Sequence, residues 1–178
     1  MPLKYEGLMR GFQLWVNLPA VSKMMAPRYR GITASEIPEL RFPNGAVVKV
    51  IAGKLNGTQG PVQDLVVPCE YFDISLPPGS RFDHVLEPDF RALSYVFEGS
   101  GRFGEPVSDP IEAYQLAHFG RGEVLRTIAD NDRMRFILVT GKPLGEPVAW
   151  RGPIVMNTEE ELRVAYREFD DGTFIKEE

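Results

Sequence analysis

Glycine and proline divide this chain into short apolar or alternating runs, and this pattern constrains the fold more than any other feature. In the run that ends at Pro19, the residues Phe12, Leu14, Val16 and Leu18 share one parity, which is the period-two pattern of a strand. Further predicted strands are residues 46–51, 70–76, 92–97, 113–119, 123–128 and 135–140. Turn-forming sequences at 43–45, 56–57, 77–79, 99–101, 120–122 and 130–132 separate them. The spacing predicts an all-β fold, an antiparallel sandwich or barrel, with residues 20–40 as an extended connection.

One helix is predicted, near the C-terminal end, at about residues 157–170. Thr158 followed three residues later by Glu161 has the form of a capping box. An apolar stripe at helical spacing follows: Leu162, Ala165, Tyr166 and Phe169. The acidic first turn complements the helix dipole, so we interpret these glutamates as a solvated helix start and not as metal ligands.

Charge and composition disfavour several classes of function. The chain carries 20 basic and 25 acidic residues, a net charge of −5, and no run of four Lys or Arg, so direct nucleic-acid binding is not expected. A single cysteine allows no internal disulfide and no cysteine-based zinc site. With no secretory signal pattern and no apolar run of about 18 residues, we expect a cytoplasmic protein without a membrane span, or a nuclear one in a eukaryote.

Two local motifs have simple structural interpretations. Residues 99–104 read G-x-G-x-x-G, but Glu105 and Pro106 make a poor helix start, so we interpret the motif as a hairpin turn and not as a dinucleotide site. Cys69 lies beside Pro68 at the edge of an apolar strand, which is typical of a buried, inert thiol.

A test for metal ligands uses the first metal motif of cupin barrels, G-x5-H-x-H-x3-4-E-x6-G. When this motif begins at Gly79, its last glycine falls on Gly99, so the turns of the barrel frame are present. The ligand positions hold other residues: Val85 and Glu87 for the histidines, and Arg91 or Ala92 for the glutamate. His84 lies one residue out of register, which predicts that it faces the opposite side of its strand.

The second metal motif of cupin barrels, G-x5-P-x-G-x2-H-x3-N, also has its turn here but not its histidine ligand. Residues 120–122 supply its turn, and its histidine position holds Leu125. Glu87 alone cannot hold a transition metal, which takes three or four ligands. We therefore assign no catalytic, cofactor-binding or metal-binding residue, and keep His84, Glu87 and Arg91 as possible ligand contacts at the barrel mouth. The simpler alternative is a barrel filled by its own side chains.

Long segments of the chain resemble the pirin family. They are GLMRGFQLWVNLP at 7–19, KMMAPRY at 23–29, GKPLGEPV at 141–148 and GPIVMNT at 152–158. The resemblance runs along nearly the whole chain and implies a cupin-like (jelly-roll) barrel. Pirins are bicupins, and this chain is similar to their second barrel with the strand and linker before it. That implies a division into residues 1–40, a remnant of the first barrel, and residues 41–178, the second barrel with its closing helix.

The resemblance also bears on cofactors. In pirins the first barrel holds a mononuclear iron through three His and one Glu and closes with a His-Ser-Glu-Met-Pro or His-Ala-Glu-Met-Pro segment. This chain opens with Met1-Pro2, so the family's ligands would all precede residue 1. The resemblance therefore implies no cofactor for this chain, and Fe(II) only together with an upstream barrel.

Three functions stay open on the sequence alone. The first is a metal-free structural and protein-interaction module of the co-regulator type. The second is half of an iron-dependent quercetin 2,3-dioxygenase, either truncated or read from an internal Met. The third is a metal-free cupin that binds a small molecule. Expected partners are a protein or the missing first barrel, with self-association through the strand at 12–18 as a further possibility.

Overall fold

The computed structural model of the chain describes residues 11–105 and 109–176. These residues form two compact units: residues 26–145 make the larger unit, and residues 11–25 join residues 146–176 in the smaller. No helix among them is long and apolar enough to cross a membrane. A domain boundary at residue 40 stays a prediction.

The elements are numbered in chain order. The larger unit contains a 3-10 turn at Ala34–Glu36 and the strands β1 Glu39–Arg41, β2 Val47–Ala52, β3 Lys54–Leu55, β4 Thr58–Gln59, β5 Cys69–Leu76, β6 Arg81–Val85, β7 Arg91–Glu98, β8 Ser100–Phe103, β9 Ile111–Glu112, β10 Leu116–His118, β11 Val124–Ala129 and β12 Met134–Gly141. The smaller unit contains a 3-10 turn at Ala20–Ser22, strands β13 Ala149–Arg151 and β14 Ile154–Met156, and helix α1 Glu159–Asp170.

Two antiparallel sheets form the body of the larger unit. One is six-stranded, in the order β1-β2-β5-β12-β7-β10, and the other is four-stranded, in the order β6-β11-β8-β9. Strand β12 lies in the middle of the larger sheet and pairs along its length with β5, from Met134 opposite Leu76 to Gly141 opposite Cys69. The predicted all-β, antiparallel architecture is confirmed.

The core lies between the two sheets. Every second residue of β5 is buried, as period-two alternation requires of a strand with one face inside. The core side chains come from both sheets: Val48, Val50, Phe72, Ile74, Leu76, Phe82, Val96, Phe103, Leu125, Met134, Phe136 and Leu138. Burial of this apolar surface is the main term that holds the two sheets together.

The chain passes from one sheet to the other at Gly99. Strand β7 belongs to the six-stranded sheet and β8 to the four-stranded one, so the predicted hairpin turn at 99–101 is wrong. Gly99 has a φ of +70°, and a Cβ at this position would lie 2.1 Å from the carbonyl oxygen of Arg133. Only glycine fits this corner, and because a strand follows it, the dinucleotide-site interpretation stays excluded.

Two other predicted strands differ from the structure. Residues 11–19 form no strand, because none of the described strands pairs with their backbone groups. The predicted strand at 113–119 is shorter, since Tyr114 has a φ of +72° and β10 begins only at Leu116. The first segment has the alternating pattern but no neighbouring strand, and the second has a residue whose backbone conformation interrupts a strand.

The smaller unit is built around the predicted helix. The side chain of Thr158 accepts a hydrogen bond from the backbone N–H of Glu161, and the Glu161 carboxylate accepts one from the backbone N–H of Thr158. The capping box is confirmed. The apolar stripe of α1 buries Leu162 and Ala165 against the β13–β14 hairpin.

Candidate functional site

Three buried polar side chains meet at one end of the barrel interior. His84 Nε2 lies 2.8 Å from Glu70 Oε2, and Thr140 Oγ1 donates a hydrogen bond of 2.6 Å to the same oxygen. Glu70 is 7% exposed and His84 is 5% exposed, so bulk water screens the contact far less than it would at the surface. Because a carboxylate is an acceptor, Nε2 of His84 carries the proton in this bond.

Strand register brings these residues together. Thr140 on β12 lies directly opposite Glu70 on β5, within the six-stranded sheet. His84 comes from β6, an edge strand of the four-stranded sheet. The His84–Glu70 bond therefore joins the two sheets at this end of the barrel, which we call the barrel mouth.

A glycine positions Glu70. Gly53 has a φ of +82°, and a Cβ there would lie 2.8 Å from Cγ of Glu70. Gly53 follows directly on β2, where its register with β5 shifts between Val50 and Ala52. The backbone at Gly53 can therefore approach Glu70 more closely than any residue with a side chain would allow.

Aromatic rings surround His84. Its ring packs edge-on to Phe72, with centroids 5.4 Å apart, and nearly parallel to Phe82, with centroids 6.4 Å apart. Leu125 on β11 lies directly opposite His84. The imidazole is therefore held in a largely apolar pocket whose polar partner is Glu70.

The predicted orientation of His84 is wrong. On β6 the side chains of Phe82 and His84 are buried, whereas Val85 is 73% exposed. The motif that starts at Gly79 therefore places its histidine positions one residue away from the inward-facing residues of β6, Phe82 and His84. A one-residue shift in a strand exchanges its two faces, so the histidine faces the core and the two tested positions, Val85 and Glu87, face outward.

Two cavities open at the barrel mouth. One, of about 420 Å³, is lined by Glu70, Cys69, Glu87 and Phe90 among others. The second, of about 680 Å³, is lined by Glu87, Phe90 and Arg91. Of the three predicted contact residues, Glu87 therefore lines both cavities and Arg91 lines one. His84 lines neither cavity, and its hydrogen-bond partner Glu70 lines the first.

Sequence reasoning missed Glu70 and Thr140. A signal for Glu70 was present, because it shares its parity with Phe72, Ile74 and Leu76, the buried face of the predicted strand. A charged residue on such a face needs a buried partner. Which residue supplies that partner depends on the pairing of β5 with β12 and on the approach of β6.

Cys69 sits next to Glu70 and lines the smaller cavity. Its side chain is half-buried, and burial first, then the nearby Glu70 carboxylate, raises the pKa of the thiol above its ordinary value. A thiol with a raised pKa holds less thiolate at neutral pH, and the thiolate is the reactive form. The residue therefore does not have the environment of a nucleophile.

The donor set at the barrel mouth does not fit an iron centre of the pirin kind, with three His and one Glu. Over residues 11–105 and 109–176, no group of three or more His, Cys, Asp or Glu side chains is placed to hold a metal ion. Glu70 and His84 are bonded to each other, and Leu125 occupies the inward position opposite His84. Two ligands that already bind one another are fewer than a transition metal requires.

Comparison with known proteins agrees with the resemblance that the sequence motifs indicate. The profile of the Pirin C-terminal cupin domain matches residues 71–175. The chain is 42% identical to a pirin-like protein of Caulobacter vibrioides, over 98% of this chain and 62% of that protein. It is 38% identical to a putative quercetin 2,3-dioxygenase of Pseudomonas aeruginosa, over 97% of this chain and 61% of that protein.

A solved structure supports the same fold. The crystal structure of a quercetin 2,3-dioxygenase from Acinetobacter baumannii superposes with a TM-score of 0.82 at 30% sequence identity, over 90% of this chain and 55% of that one. The predicted cupin barrel is therefore confirmed. The chain spans about three fifths of the length of the curated relatives named above.

Proposed function

Because the chain belongs to the pirin family, we propose that it acts as a structural and protein-interaction barrel that carries no metal centre of its own. The observation that carries this proposal is the barrel mouth, where Glu70 is bonded to His84 and Thr140 and where Leu125, at the histidine position of the second motif, lies opposite His84. A co-regulator type of role, through contact with another protein, is compatible with such a barrel.

An apolar surface in the smaller unit supports the interaction role. A groove of about 940 Å³ is lined by residues 13–18 and by side chains of the hairpin and helix, including Trp15, Trp150 and Phe169. Trp15 is 59% exposed and Trp150 is 69% exposed. Apolar patches of this kind mark contact surfaces, and the net charge of −5 disfavours DNA as the partner. The proposed occupant is the first barrel of a complete pirin or another protein.

Metal content of the purified chain tests the proposal. We expect less than about 0.1 transition metal per chain by plasma mass spectrometry on a size-exclusion peak of known mass, since residues 11–105 and 109–176 bring no three ligands together. The His84→Ala variant should give the same value, with Glu112→Gln as a surface control. Near one metal per chain, lost in His84→Ala and retained in Glu112→Gln, would overturn the proposal.

A second candidate function is one half of an iron-dependent quercetin 2,3-dioxygenase. The names of the Pseudomonas and Acinetobacter proteins favour it. On this hypothesis the iron belongs to an upstream barrel. Translation of the DNA before the first codon is the direct test: an in-frame His-x-His and a His-x-Glu would support it, and their absence would remove it.

A third candidate is a metal-free cupin that binds a small polar ligand at the barrel mouth. The cavities lined by Glu87 and Arg91, and the bond between His84 and Glu70, favour it. Ligand binding to the folded chain, detected as chemical-shift changes confined to the barrel mouth, is the test. If the barrel interior is completely filled by its own side chains, no chemical-shift changes will appear at the barrel mouth, and this candidate is removed.

A further inference from the structure

We propose that residues 12–18 pair with the same segment of a second copy of this chain, as two antiparallel strands related by a two-fold axis at Trp15. The inference names the protein partner of the apolar groove, and it rests on the interaction role proposed above. It is independent of the barrel mouth, because the residues that line the groove lie in the smaller unit.

The segment has the sequence pattern of a strand but no strand beside it. Its apolar residues alternate with Gln13, Trp15 and Asn17, and none of residues 12–18 has a positive φ. The backbone groups of residues 13–18 form no hydrogen bond with any residue of 11–105 or 109–176. Unpaired N–H and C=O groups in an extended apolar segment favour pairing with the backbone of another chain.

The order of the residues favours the same segment as the partner. A two-fold axis places each residue of an antiparallel pair opposite the residue that lies equally far from the axis on the other copy. With the axis at Trp15, the opposing pairs are Phe12 with Leu18, Gln13 with Asn17, and Leu14 with Val16. Each pair joins two apolar side chains or two amides, and Trp15 meets its own copy, so the segment is self-complementary. Cross-strand pairs of this kind stabilise a sheet.

The surroundings of the segment suit contact between two acidic chains. Each copy carries a net charge of −5, so two copies repel each other least where the contact lacks carboxylates. Among the described residues that line the groove, none is acidic.

The apolar area along the groove is of the size that a stable dimer needs. Six side chains of the segment and the opposite wall are each 42–69% exposed: Phe12, Leu14, Trp15, Val16, Trp150 and Phe169. Together they expose roughly 600–700 Å² of surface, close to the roughly 800 Å² per partner that a standard protein–protein interface buries.

Sedimentation velocity of the full chain tests the dimer. We expect a species of twice the 20.0 kDa of the chain at about 50 µM, since interfaces of this area have dissociation constants in the micromolar range or below. Trp15→Arg places two like charges on the axis, so it should raise the dissociation constant at least about tenfold. Leu116→Arg is the matched control, because it adds the same charge at an exposed apolar residue of β10, outside the groove, and should leave the dimer intact.

Disulfide cross-linking tests the register and keeps every apolar side chain of the segment. In a Cys69→Ser background, the Gln13→Cys and Asn17→Cys variants should form a covalent dimer when they are mixed, because these positions oppose each other. Neither variant should cross-link with itself, since like positions lie roughly 13 Å apart along the strands and a disulfide joins Cα atoms at most about 7 Å apart.

The remaining outcomes separate this inference from the proposed function. A chain that stays monomeric up to about 200 µM would overturn the pairing, while the metal-free barrel would stand on its metal content. A dimer that Trp15→Arg leaves intact, or cross-linking of each cysteine variant with itself as readily as in the mixture, would also overturn the pairing. Near one metal per chain in a protein that dimerises through this segment would overturn the metal-free barrel alone.

Discussion

Replacing His84 by phenylalanine should destabilise the barrel, although phenylalanine retains the aromatic contacts. The rings of Phe72 and Phe82 still have a partner, but Glu70 loses the donor at 2.8 Å. A hydrogen bond to a charged group contributes about 1.5–3 kcal/mol to the free energy of unfolding. Since Thr140 still donates to the carboxylate, we expect a loss near the lower end, about 2–3 kcal/mol in the free energy of unfolding.

The double variant gives the sharper measurement. Glu70→Met alone leaves the donors of His84 and Thr140 without an acceptor, so it should cost about 2–4 kcal/mol. In Glu70→Met combined with His84→Phe, only the Thr140 hydroxyl loses its partner, since the histidine donor is also gone. The double variant should therefore be more stable than the sum of the single changes predicts, by about 1.5 kcal/mol or more.

Urea unfolding at pH 7, analysed by linear extrapolation, measures each free energy. Val85→Phe and Glu87→Met make a matched control pair. Both residues come shortly after His84 in the chain, and both side chains are exposed on the outer face. Their effects should be small and additive within about 0.5 kcal/mol. Additivity of the His84 and Glu70 changes, or a loss below about 1 kcal/mol in His84→Phe, would refute the argument that this bond ties the sheets together.

Three further predictions follow from single positions. Thr158→Ala removes the N-cap of α1 and should lower stability by about 1 kcal/mol in urea unfolding, with Thr158→Ser close to the parent chain. Gly99→Ala should lower the melting temperature strongly, because φ is +70° and Arg133 is too close, whereas Gly120→Ala, which meets only open space, should not. The hydrogen bond from Arg81 lowers the pKa of Asp83, so the stability from this pair is present above the ordinary aspartate pKa and is lost as pH falls through the lowered one. Asp83→Asn should accordingly flatten the fall in melting temperature between about pH 5 and pH 2, and an unchanged slope would contradict the assignment.

Local patterns predicted much of this protein because they act over short distances. The period of two in residues 70–76 and 135–140 predicts strands, and the structure has β5 and β12 there. The Thr158 and Glu161 pair predicts where α1 begins. Each of these signals depends on backbone geometry within a few residues, so the sequence alone is sufficient to read it.

The site could be predicted only in part. Glu87 and Arg91 were assigned to the barrel mouth from motif spacing, and they line its cavities. His84 was assigned to the same end but to the wrong face, because a register error of one residue exchanges the two faces of a strand.

The amino-acid sequence by itself determined the all-β class, the C-terminal helix and the resemblance to pirins. Only the tertiary structure decided that Glu70, His84 and Thr140 share one carboxylate oxygen. These residues lie on three strands and in two sheets, and their sequence separations reach 70 residues. Contacts of this kind depend on strand order and register, which short-range sequence patterns do not encode. Because burying an unpaired charge is costly, Glu70 needs hydrogen-bond donors, and the strand order determines which residues supply them.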